Sequence, residues 1–166
     1  ESQAGQGYAL KQAFEPLCEQ KITTQMQDSL AKSALGGPAG CHVDVHAALG
    51  STNTELLAKG LADEEQARAC LAELQTDGRG RRGRQWLSPP GSGLCLSLAW
   101  RFKQLPASPG SLSLAVGVWV VNALEQLGIE GVQLKWPNDL YATVNGQLSK
   151  LGGILVELQG EMAGEA

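Results

Sequence analysis

The dipeptide Asn145-Gly146 restricts the fold of this chain more tightly than any other feature of its sequence. Asn and Gly both tolerate positive φ, and between apolar-rich segments they form the favoured two-residue turn of an antiparallel hairpin. The segments 140–144 and 147–158 are therefore predicted as paired strands, preceded by a short strand at 132–136. Leu94, Leu96, Leu98 and Trp100 repeat with period two against Cys95, Ser97, Ala99 and Arg101, which predicts another strand. From Pro109 the period changes to that of a helix, with Leu112, Val116, Trp119, Val120, Ala123 and Leu127 on one stripe and Gly128 at its C-terminal cap. Upstream, 41–49 alternates, with Val43 and Val45 opposite His42, Asp44 and His46, and reads as a strand. A helix follows from Ser51-Thr52-Asn53 through Leu61, with a hydroxyl or amide cap at its start. Segment 67–74 is predicted as a strand, and 11–35 holds a helix or two before the Gly36-Gly37-Pro38 break. Together these elements predict an α+β fold: a mixed, largely antiparallel sheet with helices packed on one side.

Charge is unevenly distributed. The chain has 166 residues with 13 Lys+Arg against 17 Asp+Glu, yet four arginines lie within Gly78-Arg79-Gly80-Arg81-Arg82-Gly83-Arg84. Guanidinium forks match phosphate and carboxylate geometry, and glycines let backbone N–H groups approach an anion. The run reads either as a clamp for a phosphorylated ligand or as a solvated, RGG-like loop. Without it the chain keeps 9 basic against 17 acidic residues, which argues against a general nucleic-acid surface. No apolar run is long enough to span a bilayer and no signal-peptide pattern opens the chain, so a cytoplasmic location is expected. Cys18, Cys41, Cys70 and Cys95 form no CxxC and are expected to be reduced, mostly buried thiols.

Other segments carry candidate chemistry. Lys135-Trp136-Pro137-Asn138-Asp139 ends a strand with a stiff Trp-Pro step, then an amide and a carboxylate; it orients a ligand or forms an ordinary polar turn. Lys150 enters an apolar strand beside Gly152-Gly153, as a ligand group or as an edge-protecting lysine. Trp86 either stacks on a base or anchors the arginine loop, whereas Trp100, Trp119 and Trp136 read as packing residues. Cys41, His42, Asp44 and His46 fit a strand better than a metal site, so none is expected. No P-loop and no nucleophile elbow is present.

Four segments in this order resemble the catalytic domain of biotin protein ligase: Ser51-Thr52-Asn53, Gln75 with Gly78 to Trp86, Lys135 to Asp139, and Lys150 to Glu157. The resemblance implies an ATP-dependent enzyme that forms biotinyl-5′-adenylate and transfers biotin to a lysine of biotin carboxyl carrier protein, part of acetyl-CoA carboxylase. It implies biotin and ATP as substrates with Mg²⁺. Biotin is then held by Ser51, Thr52, Asn53, Gln75, Arg79, Gly80, Arg81 and Lys150. ATP or adenylate is held by Gly78, Arg79, Arg81, Arg82, Arg84, Trp86, Lys135, Asn138 and Asp139, with Lys150 and Arg81 in the catalytic roles. The implied partners also include a second copy in a homodimer, and DNA through an N-terminal domain alone; no membrane is implied.

Two departures stand out. Gly50 occupies a position where such proteins often carry an acid, and the hairpin before Lys150 is roughly four residues longer than in compact members. Residues 1–10 resemble the closing strand of a winged helix-turn-helix domain, and 11–166 an incomplete catalytic domain, so a fragment of a bifunctional ligase and repressor is expected. The competing readings are a lipoate ligase relative, a nucleic-acid-binding module built on the arginine loop, and a ligand sensor without turnover.

Overall fold

A computed structural model of the chain describes residues 2–3, 7–8, 14–32, 38–60, 66–102 and 108–159. It divides into two units, residues 1–102 and 103–166. The first contains β1 (Ser2–Gln3), β2 (Gly7–Tyr8), α1 (Glu19–Lys32), β3 (Gly40–His46), α2 (Thr52–Lys59), β4 (Gln66–Ala72), β5 (Gln75–Arg79), β6 (Gln85–Ser88) and β7 (Cys95–Ala99). The second contains α3 (Leu112–Gln126), β8 (Gln133–Lys135), β9 (Asp139–Val144) and β10 (Gln147–Gly153). The α+β class expected from the sequence is the one adopted. The expected helix residues 11–13, 33–35 and 61, and residues 5–6 and 9–10 of the expected closing strand, lie outside the described residues.

In the first unit β3 pairs parallel with β4, and β4 pairs antiparallel with β7. Cys41, Val43, Ala67, Ala69 and Leu71 form one buried face, against which Leu17, Ile22, Met26 and Leu30 pack from α1 and the segment before it. The opposite face carries Asp44 and Ser97, which bond Lys59 and Thr52 of α2. Helices thus cover both faces of this sheet, rather than one: α1 packs on the apolar face and α2 on the face that carries Asp44 and Ser97. The period of two in 94–100 is correct, and its polarity is inverted: Cys95 and Ser97 are buried, while Leu96 is 52% exposed. The cluster against α1 ends with β4 and leaves the leucine face of β7 uncovered. Cys41, Cys70 and Cys95 are buried free thiols, and burial raises the first two further from ionisation.

In the second unit β9 pairs antiparallel with both β8 and β10. Asn145 and Gly146 take φ of 52° and 77°, the two positive values that the expected turn requires. Helix α3 ends in a Schellman motif: Ile129 N–H bonds Leu124 C=O and Gly128 N–H bonds Glu125 C=O, both at 2.9 Å, with Gly128 at φ 79°. The inward face of α3 is not the expected stripe. It centres on the buried Gly117, where an added Cβ would lie 2.6 Å from Leu134 Cδ2 and 3.4 Å from Ile154 Cδ1. A backbone pressed this close to β8 turns Trp119 outward, to 61% exposure. Trp136 is 77% exposed in the turn before β9, so neither tryptophan packs in a core as expected. Gly117→Leu is expected to destabilise the unit by about 2 kcal/mol through overpacking, read as a lowered urea midpoint.

The strand expected to continue through 154–158 stops at Gly153. Its neighbour supplies the reason. Strand β9 begins only at Asp139, and just beyond Gly153 the chain is tied to Asn138, whose C=O accepts from Ile154 N–H at 2.8 Å and whose Nδ2 donates to Ile154 C=O at 2.9 Å.

Candidate functional site

The first group of candidate residues is assembled by a parallel run of backbone between the end of β3 and the start of β5. Glu73 N–H bonds His46 C=O, Leu49 N–H bonds Leu74 C=O, Thr76 N–H bonds Leu49 C=O, and Asp77 N–H bonds Gly50 C=O at 2.8 Å. This run delivers Ser51 to the head of α2, where its buried hydroxyl caps the helix by accepting from Thr54 N–H. Thr52 comes next, also buried, and donates twice to Gln75 Oε1: from its N–H at 2.8 Å and from Oγ1 at 3.0 Å. Ser97 of β7 reaches the same place, 2.7 Å from Thr52 Oγ1 and hydrogen-bonded to the Asn53 side chain.

This relay has a chemical consequence. Both donors of Thr52 end on the amide oxygen of Gln75, so the Gln75 NH₂ is fixed as the group that faces outward. Its Nε2 lies 3.2 Å from where a Cβ on Gly78 would stand, and the missing side chain leaves that space open. Ser97 was not legible as a site residue. The available signal was its place on the Cys95/Ser97 face of β7, which turns out to be the face under α2.

The arginine run is a hairpin tip rather than an irregular loop. Strands β5 and β6 pair Gly78 with Trp86 and Arg79 with Gln85. Gly80 N–H then bonds Arg84 C=O at 2.7 Å and Arg84 N–H bonds Arg81 C=O, closing a short 3₁₀ turn over 81–83. Arg82 sits in the left-handed region at φ 58° and Gly83 at 70°. Arg79, Arg81, Arg82 and Arg84 are all exposed, and Trp86 is half-buried at the base of the hairpin. The tip is therefore a concentrated set of guanidinium donors on a short, hydrogen-bonded support.

The second group is built on β8, β9 and β10. The β9–β10 register shifts between Lys150, opposite Tyr141, and Gly152, opposite Leu140. Leu151 is thus the extra residue of a bulge, and such irregularities re-aim side chains. With that shift Gly153 comes opposite Asp139. Lys150 Nζ bonds Asp139 Oδ1 at 2.7 Å, and a Cβ on Gly153 would lie 3.5 Å from Nζ and 3.6 Å from Oδ1. On the same face Lys135 Nζ stands 4.9 Å above the Tyr141 ring centroid. Asn138 has a different task here: its two bonds to Ile154 clasp the chain beyond the bulge. Among the expected residues, Ser51, Thr52, Asn53, Gln75 and Gly78 are thus gathered in one unit, and Lys135, Asp139 and Lys150 in the other. Tyr141 is an addition that the sequence did not single out.

The model of the Biotin/lipoate A/B protein ligase family matches residues 46–165. The bifunctional ligase/repressor BirA of Escherichia coli K12 is 47% identical over 131 residues, covering 79% of this chain and 39% of that protein. The biotin–[acetyl-CoA-carboxylase] ligase of Mycobacterium tuberculosis is 37% identical over 136 residues, 78% of this chain and 50% of its own length. Among solved structures, the biotin acetyl coenzyme A carboxylase synthetase of Helicobacter pylori, with bound biotinylated ATP, superposes with a TM-score of 0.58 at 34% identity, over 72% of this chain and 56% of that one. The biotin protein ligase of Aquifex aeolicus, in complex with biotin and ATP, gives 0.58 at 32% identity, over 70% and 47%. The chain spans half or less of the length of these curated relatives.

Proposed function

The chain belongs to the biotin/lipoate A/B protein ligase family, and on that premise we propose that it forms biotinyl-5′-adenylate from biotin and ATP and passes the biotin to a lysine of the biotin carboxyl carrier protein of acetyl-CoA carboxylase. The observation that carries the choice of biotin is the Ser97–Thr52–Gln75 relay, with Asn53 beside it. A ureido ring needs fixed donors and acceptors at its edge, and a flexible lipoyl chain offers no such groups for a buried polar relay to meet.

In the first half-reaction a biotin carboxylate oxygen attacks the α-phosphorus of ATP, the bond to the β-phosphate breaks, and pyrophosphate leaves. Two anions must meet, so cations have to lower the charge at the reacting centre. Lys150 takes the biotin carboxylate and the adenylate phosphate; Arg79 and Arg81 take the ligand and triphosphate oxygens, with Gly78, Gly80, Arg82 and Arg84 completing the tip. Trp86 flanks the adenine, and Lys135, Asn138 and Asp139 border the phosphates. Mg²⁺ arrives with ATP. Asp139 would be the carboxylate to hold it, and the ion would supply positive charge to the phosphates. In the second half-reaction the carrier lysine amine attacks the acyl carbon, the bond to the phosphate oxygen breaks, AMP leaves, and the amine gives up a proton.

We read residues 1–10, where β1 pairs with β2, as the end of a winged helix-turn-helix domain, and 11–166 as catalytic domain. A homodimer is part of this reading, and DNA binding with repression would rest on an N-terminal domain alone. The described residues contain no helix long and apolar enough to cross a membrane, and we place the protein in the cytoplasm. Isothermal titration tests the central reading. Saturable biotin binding, tighter for a non-hydrolysable biotinyl-adenylate analogue and weakened about tenfold or more by Arg81→Gly, is the expected result. Equal, salt-steep binding of RNA with no biotin heat would overturn it in favour of the nucleic-acid module.

A further inference from the structure

Helix α2 carries the residues assigned to biotin, yet it has only eight residues and buries a single apolar side chain, Leu56. The bonds of Thr52 tie its first turn and Leu56 anchors its middle, which leaves the last turn in need of an attachment. The structure supplies it at the other end. Lys59 Nζ, in the last turn, lies 3.4 Å from Asp44 Oδ1 on β3 and 3.2 Å from Glu55 Oε1 within the helix. His42 Nε2 is 3.4 Å from the same Asp44 oxygen. Asp44 Oδ2, Arg68 Nε and His46 Nε2 are buried and make no hydrogen bond among the described residues, so the Asp44 carboxylate sits in a polar seam between β3, β4 and α2. Burial opposes its charge, but Lys59, His42 and Arg68 together outweigh that and hold the carboxyl below its ordinary range.

We propose that Asp44 is a positioning residue: its ion pair with Lys59 sets the direction of α2, and so places Thr52 and Asn53 against Gln75 and Ser97. The consequence for biotin rests on the functional reading above, while the consequence for α2 does not. The notable feature is the choice of residues. None of Asp44, Lys59 or His42 is among the ligand-binding residues, and the pair works from the opposite end of the helix.

Amide hydrogen exchange and biotin titration on Asp44→Asn, Lys59→Met and Lys59→Arg test the proposal. Asp44→Asn and Lys59→Met should each speed exchange at the Thr52 and Thr54 amides, and weaken biotin, by about fivefold, with Ala69 and Leu71 of the central strand unchanged. The double variant should be no worse than either single one, since both remove the same contact. Lys59→Arg, which keeps the charge, should restore both readouts. Uniform acceleration at all amides, or none at Thr52, would overturn the proposal, because a merely structural pair lowers global stability without singling out the head of α2. If the parent chain binds no biotin, the functional reading fails while the exchange data still decide this one.

Discussion

Lys150→Ala is expected to reduce biotinyl-adenylate formation by about a thousandfold, the scale on which a preorganised charge at a reacting centre acts. Much local structure is devoted to this one side chain. The bulge at Leu151 shifts the register of β10 by one residue, so that Gly153 rather than Gly152 comes opposite Asp139 and the side chains beside the bulge are re-aimed. A Cβ there would stand in van der Waals contact with both partners of the Lys150–Asp139 bond. Asn138 clasps Ile154 immediately beyond, which keeps the bulge from sliding. An edge lysine that only discourages aggregation would need none of this. Asp139→Asn should cost less, about tenfold, because the ammonium remains and only its aim is lost. Biotin-dependent ATP–pyrophosphate exchange, with denaturation curves as a control for folding, measures both. A Lys150→Ala protein within threefold of the parent would remove Lys150 from the chemistry and return it to the reading of an edge lysine.

What the sequence revealed follows from which forces are local. The Asn145-Gly146 turn and the Gly128 cap were legible because each depends on backbone dihedrals that few residues accept, and nothing distant competes. The cap at Ser51 was legible for another local reason, a hydroxyl that accepts from an amide three residues on. The inward face of α3 was not: periodicity marks the apolar side chains, but the closest approach is made at Gly117, where there is no side chain to mark it. The register shift at Leu151 was hidden because a bulge breaks the period-two rule by one residue and leaves composition unchanged. Ser97 and Asp44 were likewise silent, since each acquires its role from an element 38 or more residues away in Ser97's case and 15 away in that of Lys59. The candidate site was legible through its motifs, and its supports only through packing.

Gly78→Ala, a change of one methyl group, is expected to destabilise the first unit by about 2 kcal/mol and to weaken biotin by more than tenfold. A Cβ at Gly78 would stand 2.5 Å from the backbone oxygen of Trp86, its strand partner, and 3.3 Å from the Trp86 Cβ. A carbonyl oxygen of a paired strand cannot swing aside as a side-chain terminus does, so the hairpin that carries the arginines has to open at its base. The same Cβ would lie 3.2 Å from Gln75 Nε2, the group that the Thr52 donors turn outward. One methyl group therefore disturbs the guanidinium tip and the polar relay together. Two other glycines separate this from a general effect of losing glycine. Gly50→Ala meets nothing within 4 Å and should be neutral, and Gly80→Ala meets Arg84 only at 3.4 Å and should be mild. Urea midpoints and biotin titrations on the three variants give the ranking. If Gly78→Ala matched Gly50→Ala in both, β5 and β6 would not be paired as closely as Gly78 requires, and the arginine tip would have to be held by something other than its hairpin.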